Sequence, residues 1–331
     1  FKQKTAYEIR NCDWSSDVCS SDLSERAITL APEVSPIVMC RVEALTRVGR
    51  GTEAHALIAG HVARNPGDHE ARSVMLFALN YGLQDAAAIT EAHRAFGASL
   101  PAPAPPTLPH DPARPLRVGI LSADLRGHSV GFFAESFMRE APAGTEIVVF
   151  SNATPAWSDA ITKRLQGCAK AWHQVETIDD AALDAIIRRE RIDVLLELSG
   201  HTVPNRLPAL ARKPAPVIVT AIGYPNTTGM PAIDWRLVDS VTDPPGSEAL
   251  CTEQLLRLDP CFLCYTPPHD APVPAMPPAD APVTFGSFNL ALKISDPAVE
   301  LWSRVMNAVP GSRLLLKSTG LADAEIGRAH V

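Results

Sequence analysis

Two side chains of this chain, a histidine and a lysine, each lie just past an apolar run and are placed to do chemistry. His128 stands in Ser122-Ala123-Asp124-Leu125-Arg126-Gly127-His128-Ser129-Val130-Gly131, a glycine-flanked turn between a strand and a helix. An imidazole there either points into a ligand crevice, or caps the helix that follows or satisfies a backbone carbonyl. Asp124 either orients it or caps the turn. Lys293 follows Phe288-Asn289 in F-N-L-A-L-K-I-S-D-P. Its ammonium either neutralises a departing diphosphate or is a solvated helix lysine.

Between these residues lie two glycine turns, Gly200-His201-Thr202 and Gly223-Tyr224-Pro225-Asn226-Thr227-Thr228-Gly229. Each follows a short apolar run that reads as a buried parallel strand. In an open α/β sheet the carboxyl ends of such strands are where ligands sit. Gly223 and Gly229 let backbone approach a ligand closely, and Thr227 and Thr228 offer hydroxyls. Turns of this kind often bind phosphate. His201 holds in its turn the place that His128 holds in the first, either facing a ligand or serving the turn itself. The pattern implies a pocket for a polar, phosphorylated ligand.

The elements that must position these residues alternate. Strands are predicted at Leu116–Ser122, Glu146–Ser151, Asp193–Leu198, Val217–Ile222 and Arg236–Val238. Helices are predicted near Phe132–Glu140, Trp157–Leu165, Ala181–Glu190 and Arg206–Arg212. Such alternation argues for an α/β fold with a doubly wound parallel sheet over residues 116–265. Upstream, residues 24–100 carry apolar residues at helical spacing, with helices near Val38–Val48, Glu53–Arg64, His69–Tyr81 and Ala86–Ala95. These are either repeats of the tetratricopeptide (TPR) kind or a plain helical bundle. Residues 101–115 form a stiff, proline-rich linker and residues 266–282 a second one. Val283–Phe288, Pro297–Val309 and Arg313–Lys317 then begin a second α/β lobe over residues 283–324.

The two ends read differently. Residues Asp13–Leu23 and Lys2–Ile9 back-translate to a sequencing adapter, and Glu325–Val331 to its complement. Residues 1–23 and 325–331 are therefore expected to be adapter-derived, and the chain a fragment. The net charge of −7 disfavours electrostatic binding of nucleic acid. No apolar run reaches the roughly 18–20 residues that a membrane helix needs. With Cys12 and Cys19 set aside, the remaining cysteines are scattered as in a reduced, cytoplasmic protein. Cys261 and Cys264 have C-x-x-C spacing, but no second pair completes a zinc site.

Six stretches together resemble bacterial relatives of the protein O-linked N-acetylglucosamine transferases, a family that also contains the plant SPINDLY O-fucosyltransferases. They are L-R-V-G-I-L-S-A-D-L-R-G-H-S-V from Leu116, I-D-V-L-L-E-L-S-G-H-T from Ile192, R-K-P-A-P-V from Arg212, I-G-Y-P-N-T-T-G from Ile222, D-P-C-F-L-C-Y from Asp259 and F-G-S-F-N-L-A-L-K-I from Phe285. F-A-L-N-Y before Gly82 and E-A-H-R-A-F-G ending at Gly97 extend the match upstream.

The resemblance implies two Rossmann-like lobes of the GT-B kind, the first complete and the second only begun. It implies UDP-GlcNAc as sugar donor, no metal or other cofactor, and inversion as a serine or threonine hydroxyl of a protein attacks. His128 matches a proposed general base and Lys293 the lysine that stabilises the leaving diphosphate. Gly223, Tyr224, Pro225, Thr227, Thr228, His201 and Asn289 are the expected sugar-nucleotide contacts. Protein or peptide acceptors are expected on the helical repeats. Neither a nucleic acid nor a membrane is an expected partner. The chain departs from the family at Ala221-Ile222, where a bulky residue is usual, at Asn226 in place of glycine, and at Leu290 in place of an amide. Fucosyl transfer from GDP-fucose and a non-catalytic scaffold with a degenerate lobe are the alternative readings.

Overall fold

The computed structural model describes residues 17–47, 50–81, 85–106, 114–267, 271–290 and 293–318. The expectations for Lys2–Ile9, Cys12, Val48, Gly49 and Glu325–Val331 lie outside them. The chain divides into two compact units, Arg72–His269 and Phe1–Ala71 with Asp270–Val331.

In the first unit seven strands form one sheet: β1 (Leu116–Ser122), β2 (Thr145–Ser151), β3 (Ala171–Gln174), β4 (Val194–Glu197), β5 (Val217–Thr220), β6 (Trp235–Val238) and β7 (Gln254–Arg257). All pair in parallel, in the order β3-β2-β1-β4-β5-β6-β7. The chain winds outward from β1 on one side and from β4 on the other, so the order reverses between those two strands. In open α/β sheets such a reversal is where ligands are bound, outside the carboxyl ends of the strands. Two of these strands, β3 and β7, escaped the sequence reading. Both are short edge strands with no fully buried residue, and so lack the continuous apolar run of a central parallel strand.

Alternation along the strands divides the core between the two faces. Leu121, Phe150, Leu195 and Ile218 face one layer; Ile120, Val149 and Leu198 face the other. The second layer is made by α6 (Ser129–Arg139) and α7 (Ala160–Cys168), whose Val130, Ala134, Met138 and Leu165 are buried. The first is covered by α8 (Asp180–Arg189) and the short α9 (Leu207–Leu210).

The same layer also takes Leu76 and Phe96, from α4 (His69–Leu79) and α5 (Ala86–Ala98). The proline-rich composition of residues 101–115 predicts an end of the helical repeats at residue 100 and a start of the lobe at 116. In the structure, helical residues from Arg72 onward belong to the sheet's own unit, where Leu76 and Phe96 enter its core. Residues 101–106 carry no helix or strand and are tied to that unit where Arg188 donates to the Ala104 and Arg212 carbonyls (3.3 and 2.9 Å).

In the other unit α1 (Asp17–Leu30), α2 (Ser35–Arg47) and α3 (Gly51–Arg64) are successive helices. The backbone of α1 is continuous across residues 23 and 24, where the adapter reading placed a boundary. Asn65-Pro66 breaks the run, and Asp68 accepts from the Ala71 N–H and from buried His61 (both 2.9 Å). Further along, β8 (Thr284–Ser287), α10 (Asp296–Ala308) and β9 (Arg313–Leu316) form a parallel β-α-β unit, as the sequence anticipates.

Candidate active site

His128 lies just past β1, at the point where the strand order reverses. It is the N-cap of α6, its Nδ1 accepting the Val130 N–H at 3.3 Å. Two tight backbone bonds wind the turn beneath it, Arg126 N–H to the Asp124 carbonyl (2.9 Å) and His128 N–H to the Arg126 carbonyl (2.6 Å). Its side chain is 43 % exposed, and Asp124 Oδ1 lies 3.8 Å from Nδ1. The capping reading is thus met, on a side chain that remains half-exposed. With the cap made, the neutral ring carries its proton on Nε2 and donates. With the proton on Nδ1, turned toward Asp124, Nε2 is free to accept one. Beside it the Arg126 guanidinium stacks on the exposed Trp157 ring at 4.9 Å and contacts Asp124 Oδ1 at 3.3 Å.

The two glycine turns lie at the carboxyl ends of β4 and β5, as expected, but most of their side chains face inward. His201 is 0 % exposed, with Nε2 donating to the Thr228 carbonyl (2.9 Å) and Nδ1 accepting from the Ser73 hydroxyl (3.0 Å). Burial, with His93 nearby, lowers its pKa to about 3, so it is neutral. Tyr224 is buried and its phenol is pushed upward by desolvation. Thr227 and Thr228 are fully buried. For His201, left open between a ligand and its own turn, the partners are internal, and the hydroxyls of Tyr224, Thr227 and Thr228 are likewise engaged within the protein. The cost of burying polar groups is offset only by internal partners, and these four have them. Pro225 is the exposed residue of the turn, with Ile222, Gly223 and Asn226 half-buried beside it.

Two buried glutamates, which the sequence reading passed over, shape the turns. Glu197, at the end of β4, accepts from Ser199 N–H (2.6 Å), Gly200 N–H (2.8 and 2.9 Å) and the Thr220 hydroxyl (3.0 Å). Desolvation pushes its pKa upward against the pull of those donors. Glu253 accepts from the Thr227 hydroxyl (2.6 Å), the Thr228 N–H (2.7 Å) and the Thr228 hydroxyl. Glu197 was legible in principle, as the one charge inside V-L-L-E-L; Glu253 lies in a polar stretch that gives no signal. Arg236 completes the frame, donating to the Pro225 carbonyl (2.7 Å) and pairing with Asp243 (2.6 Å).

Gly223 is required by contact: a Cβ there would lie 1.8 Å from the Leu198 carbonyl oxygen. Ile222, one of the departures from the family, has φ of 50°, a left-handed conformation that costs a β-branched residue about 1–3 kcal/mol. Such strain persists only where the surroundings enforce it, as the fixed turn does here. Asn226, another departure, is absorbed: its Oδ1 accepts the Thr227 N–H (2.8 Å) and its Nδ2 donates to Asn80 Oδ1 (3.1 Å).

Lys293 and Asn289 belong to the other unit, both exposed, with Lys293 N–H donating to the Leu290 carbonyl (3.0 Å). Leu290, the third departure, is 51 % exposed. Cys261 and Cys264 are exposed and free. Among the described residues, no group of three or more His, Cys, Asp or Glu is placed to hold a metal ion. No helix of them is long and apolar enough to cross a membrane.

Comparison with known proteins gives this geometry its context. The Arabidopsis thaliana protein described as probable UDP-N-acetylglucosamine–peptide N-acetylglucosaminyltransferase SPINDLY is 39 % identical over 269 residues, 76 % of this chain and 29 % of its own length. The Arabidopsis protein SEC, described by the same activity, is 26 % identical over 217 residues, 61 % of this chain and 22 % of its own. A solved structure of a lysine-to-methionine mutant of Thermobaculum terrenum O-GlcNAc transferase matches with a TM-score of 0.83 and 35 % identity, over 95 % of this chain and 62 % of that one. The chain thus spans under a third of the length of the curated relatives it matches. Residues 64–265 fit the model of Glycosyl transferase family 41, and with that span covering both glycine turns and His128, the chain belongs to that family.

Proposed function

We propose that this chain is part of an inverting glycosyltransferase that moves N-acetylglucosamine from UDP-GlcNAc to serine or threonine hydroxyls of proteins. The observation that carries the reading is the family match over a lobe in which His128 stands half-exposed where the strand order reverses, beside a turn framed by buried charges. In this role His128 takes the proton of the attacking hydroxyl at Nε2, with Nδ1–H turned to Asp124. Lys293 and Asn289 meet the diphosphate, and the ammonium offsets the charge that develops as it leaves. No step calls on a metal, and the acceptor proteins dock on the helical repeats. The reading places the protein in the cytoplasm, in contact with neither membrane nor nucleic acid.

A second reading keeps the lobe and changes the sugar. It is favoured by one observation, the higher identity to SPINDLY than to SEC (39 % against 26 %), since the resemblance links SPINDLY to fucosyl transfer from GDP-fucose. Incubating the protein, at the length of its relatives, with peptides and either UDP-GlcNAc or GDP-fucose decides between them by the mass added. Lys293→Met in that protein is expected to lower kcat by about 10²–10³-fold, the loss typical of one charge-stabilising group. An undiminished rate removes Lys293 from the reaction; no transfer with either donor removes the reading itself.

A further inference from the structure

We propose that Asn80, on the helical layer, is a positioning residue for the sugar-nucleotide turn Gly223–Gly229, and that it sets affinity for the nucleoside diphosphate without touching it. The inference rests on the glycosyl-transfer reading and assigns that site a determinant outside the sheet. Asn80 follows α4, and its amide grips the turn at two places. Nδ2 donates to the Tyr224 hydroxyl at 2.9 Å, and Oδ1 accepts from Asn226 Nδ2 at 3.1 Å. The amide cannot serve the other way round. Nδ2 also donates to the Leu76 and Phe77 carbonyls (3.3 and 3.1 Å), so a flip would set oxygen against oxygen there and nitrogen against nitrogen at Asn226.

The proton count beyond Asn80 is equally determined. His93 Nδ1 lies 2.7 Å from the Ile89 carbonyl and must donate to it, leaving Nε2 to accept the Tyr224 O–H at 2.7 Å. Burial lowers the His93 pKa and keeps the ring neutral, as this arrangement requires. Tyr224 is therefore clamped between a donor and an acceptor, both from the helical layer.

The consequence lies in the turn's main chain. The N–H groups of Gly223, Thr227, Thr228 and Gly229 go to Ala221, Asn226, Glu253 and Thr227. Pro225 has none. The N–H groups of Tyr224 and Asn226 have no acceptor among the described residues, and these are the two residues whose side chains Asn80 holds. Main-chain N–H groups left free in a turn at the carboxyl edge of a parallel sheet suit phosphate oxygens. Fixing the side chains on either side of Pro225 fixes the direction of both donors, and pre-organised donors bind an anion without a cost of ordering on arrival.

The test is calorimetric titration of uridine diphosphate and, separately, guanosine diphosphate into the protein at the length of its relatives. Wild type, Asn80→Ala, Asn226→Gly and the double variant are compared at equal folded fraction, measured by circular dichroism. Asn80→Ala is expected to weaken nucleotide binding by roughly tenfold, with KM for the sugar nucleotide rising in step and KM for the acceptor unchanged. In the double variant the losses should fall short of additive, since the two residues share one hydrogen bond. Should Asn80→Ala fail to fold, Tyr224→Phe keeps the ring and removes the hydroxyl, and the same weakening is expected in smaller measure. An unchanged Kd in a folded variant, or strictly additive losses, overturns the role of Asn80 and leaves glycosyl transfer standing. A wild-type protein that binds neither nucleotide overturns both.

Discussion

At the scale of single residues, the decisive property is whether a polar side chain finds its partner inside the protein or outside it. His128 and His201 follow corresponding strands in similar glycine turns, yet one is half-exposed and the other fully enclosed. The difference has a measurable signature. An unfolded imidazole titrates near 6.5, whereas His201 in the fold titrates at about 3. Between those values the unfolded chain binds a proton that the folded chain refuses. Stability is therefore full above pH 6.5 and falls as pH drops toward 3, by about 1.4 kcal/mol per pH unit at most. Urea midpoints at pH 7 and pH 5 measure it. His201→Gln should flatten the slope, because its amide can still donate to Thr228 and accept from Ser73. An unaltered slope in that variant would assign the effect to another group.

At the scale of elements, the two turns are set by close approach and by buried carboxylates rather than by turn propensity alone. Gly223→Ala, whose Cβ would meet the Leu198 carbonyl at 1.8 Å, is expected to destabilise by roughly 3 kcal/mol, at the upper end of overpacking changes, since backbone must move. Gly167→Ala is its counterpart. Gly167 lies inside α7 with nothing within 4 Å of the added Cβ. Alanine there should stabilise by about 0.5–1 kcal/mol through helix propensity. Thermal melts of the two variants should move in opposite directions; a common direction would contradict the packing described here. Both turns stand where their glycines predict, at the carboxyl ends of β4 and β5, and the direction of their side chains is set elsewhere. Glycine and proline mark a turn locally, but Glu197 and Glu253 decide its interior.

At the scale of the molecule, the helical layer and the sheet share one core. Phe96 and Leu76 are 0 % and 2 % exposed within it, and truncating one such side chain typically costs about 2–5 kcal/mol. A whole domain is stable by only about 5–15 kcal/mol. A fragment of residues 101–267 should therefore fail to fold, whereas residues 64–267 should give a protease-resistant unit. Limited proteolysis and circular dichroism of the two fragments test this. A well-folded shorter fragment would restore the boundary that the proline-rich linker suggests.

The sequence by itself determined the central strands, their alternation with helices along the lobe, both glycine turns, His128 at a strand end and the family resemblance. All of these are written in runs of a few neighbouring residues, as apolar stretches, turn chemistry and motif spacing. Only the tertiary structure decided that His201, Tyr224, Thr227 and Thr228 turn inward, that Asn226 is accommodated, and that helices before the linker belong to the lobe. Those outcomes rest on partners far apart in the chain: Ser73 and His201 are 128 residues apart, and Asn80 and Tyr224 144. A hydrogen bond across such a distance leaves no local pattern. Its donor and acceptor are each ordinary where they stand, and only packing brings them within reach.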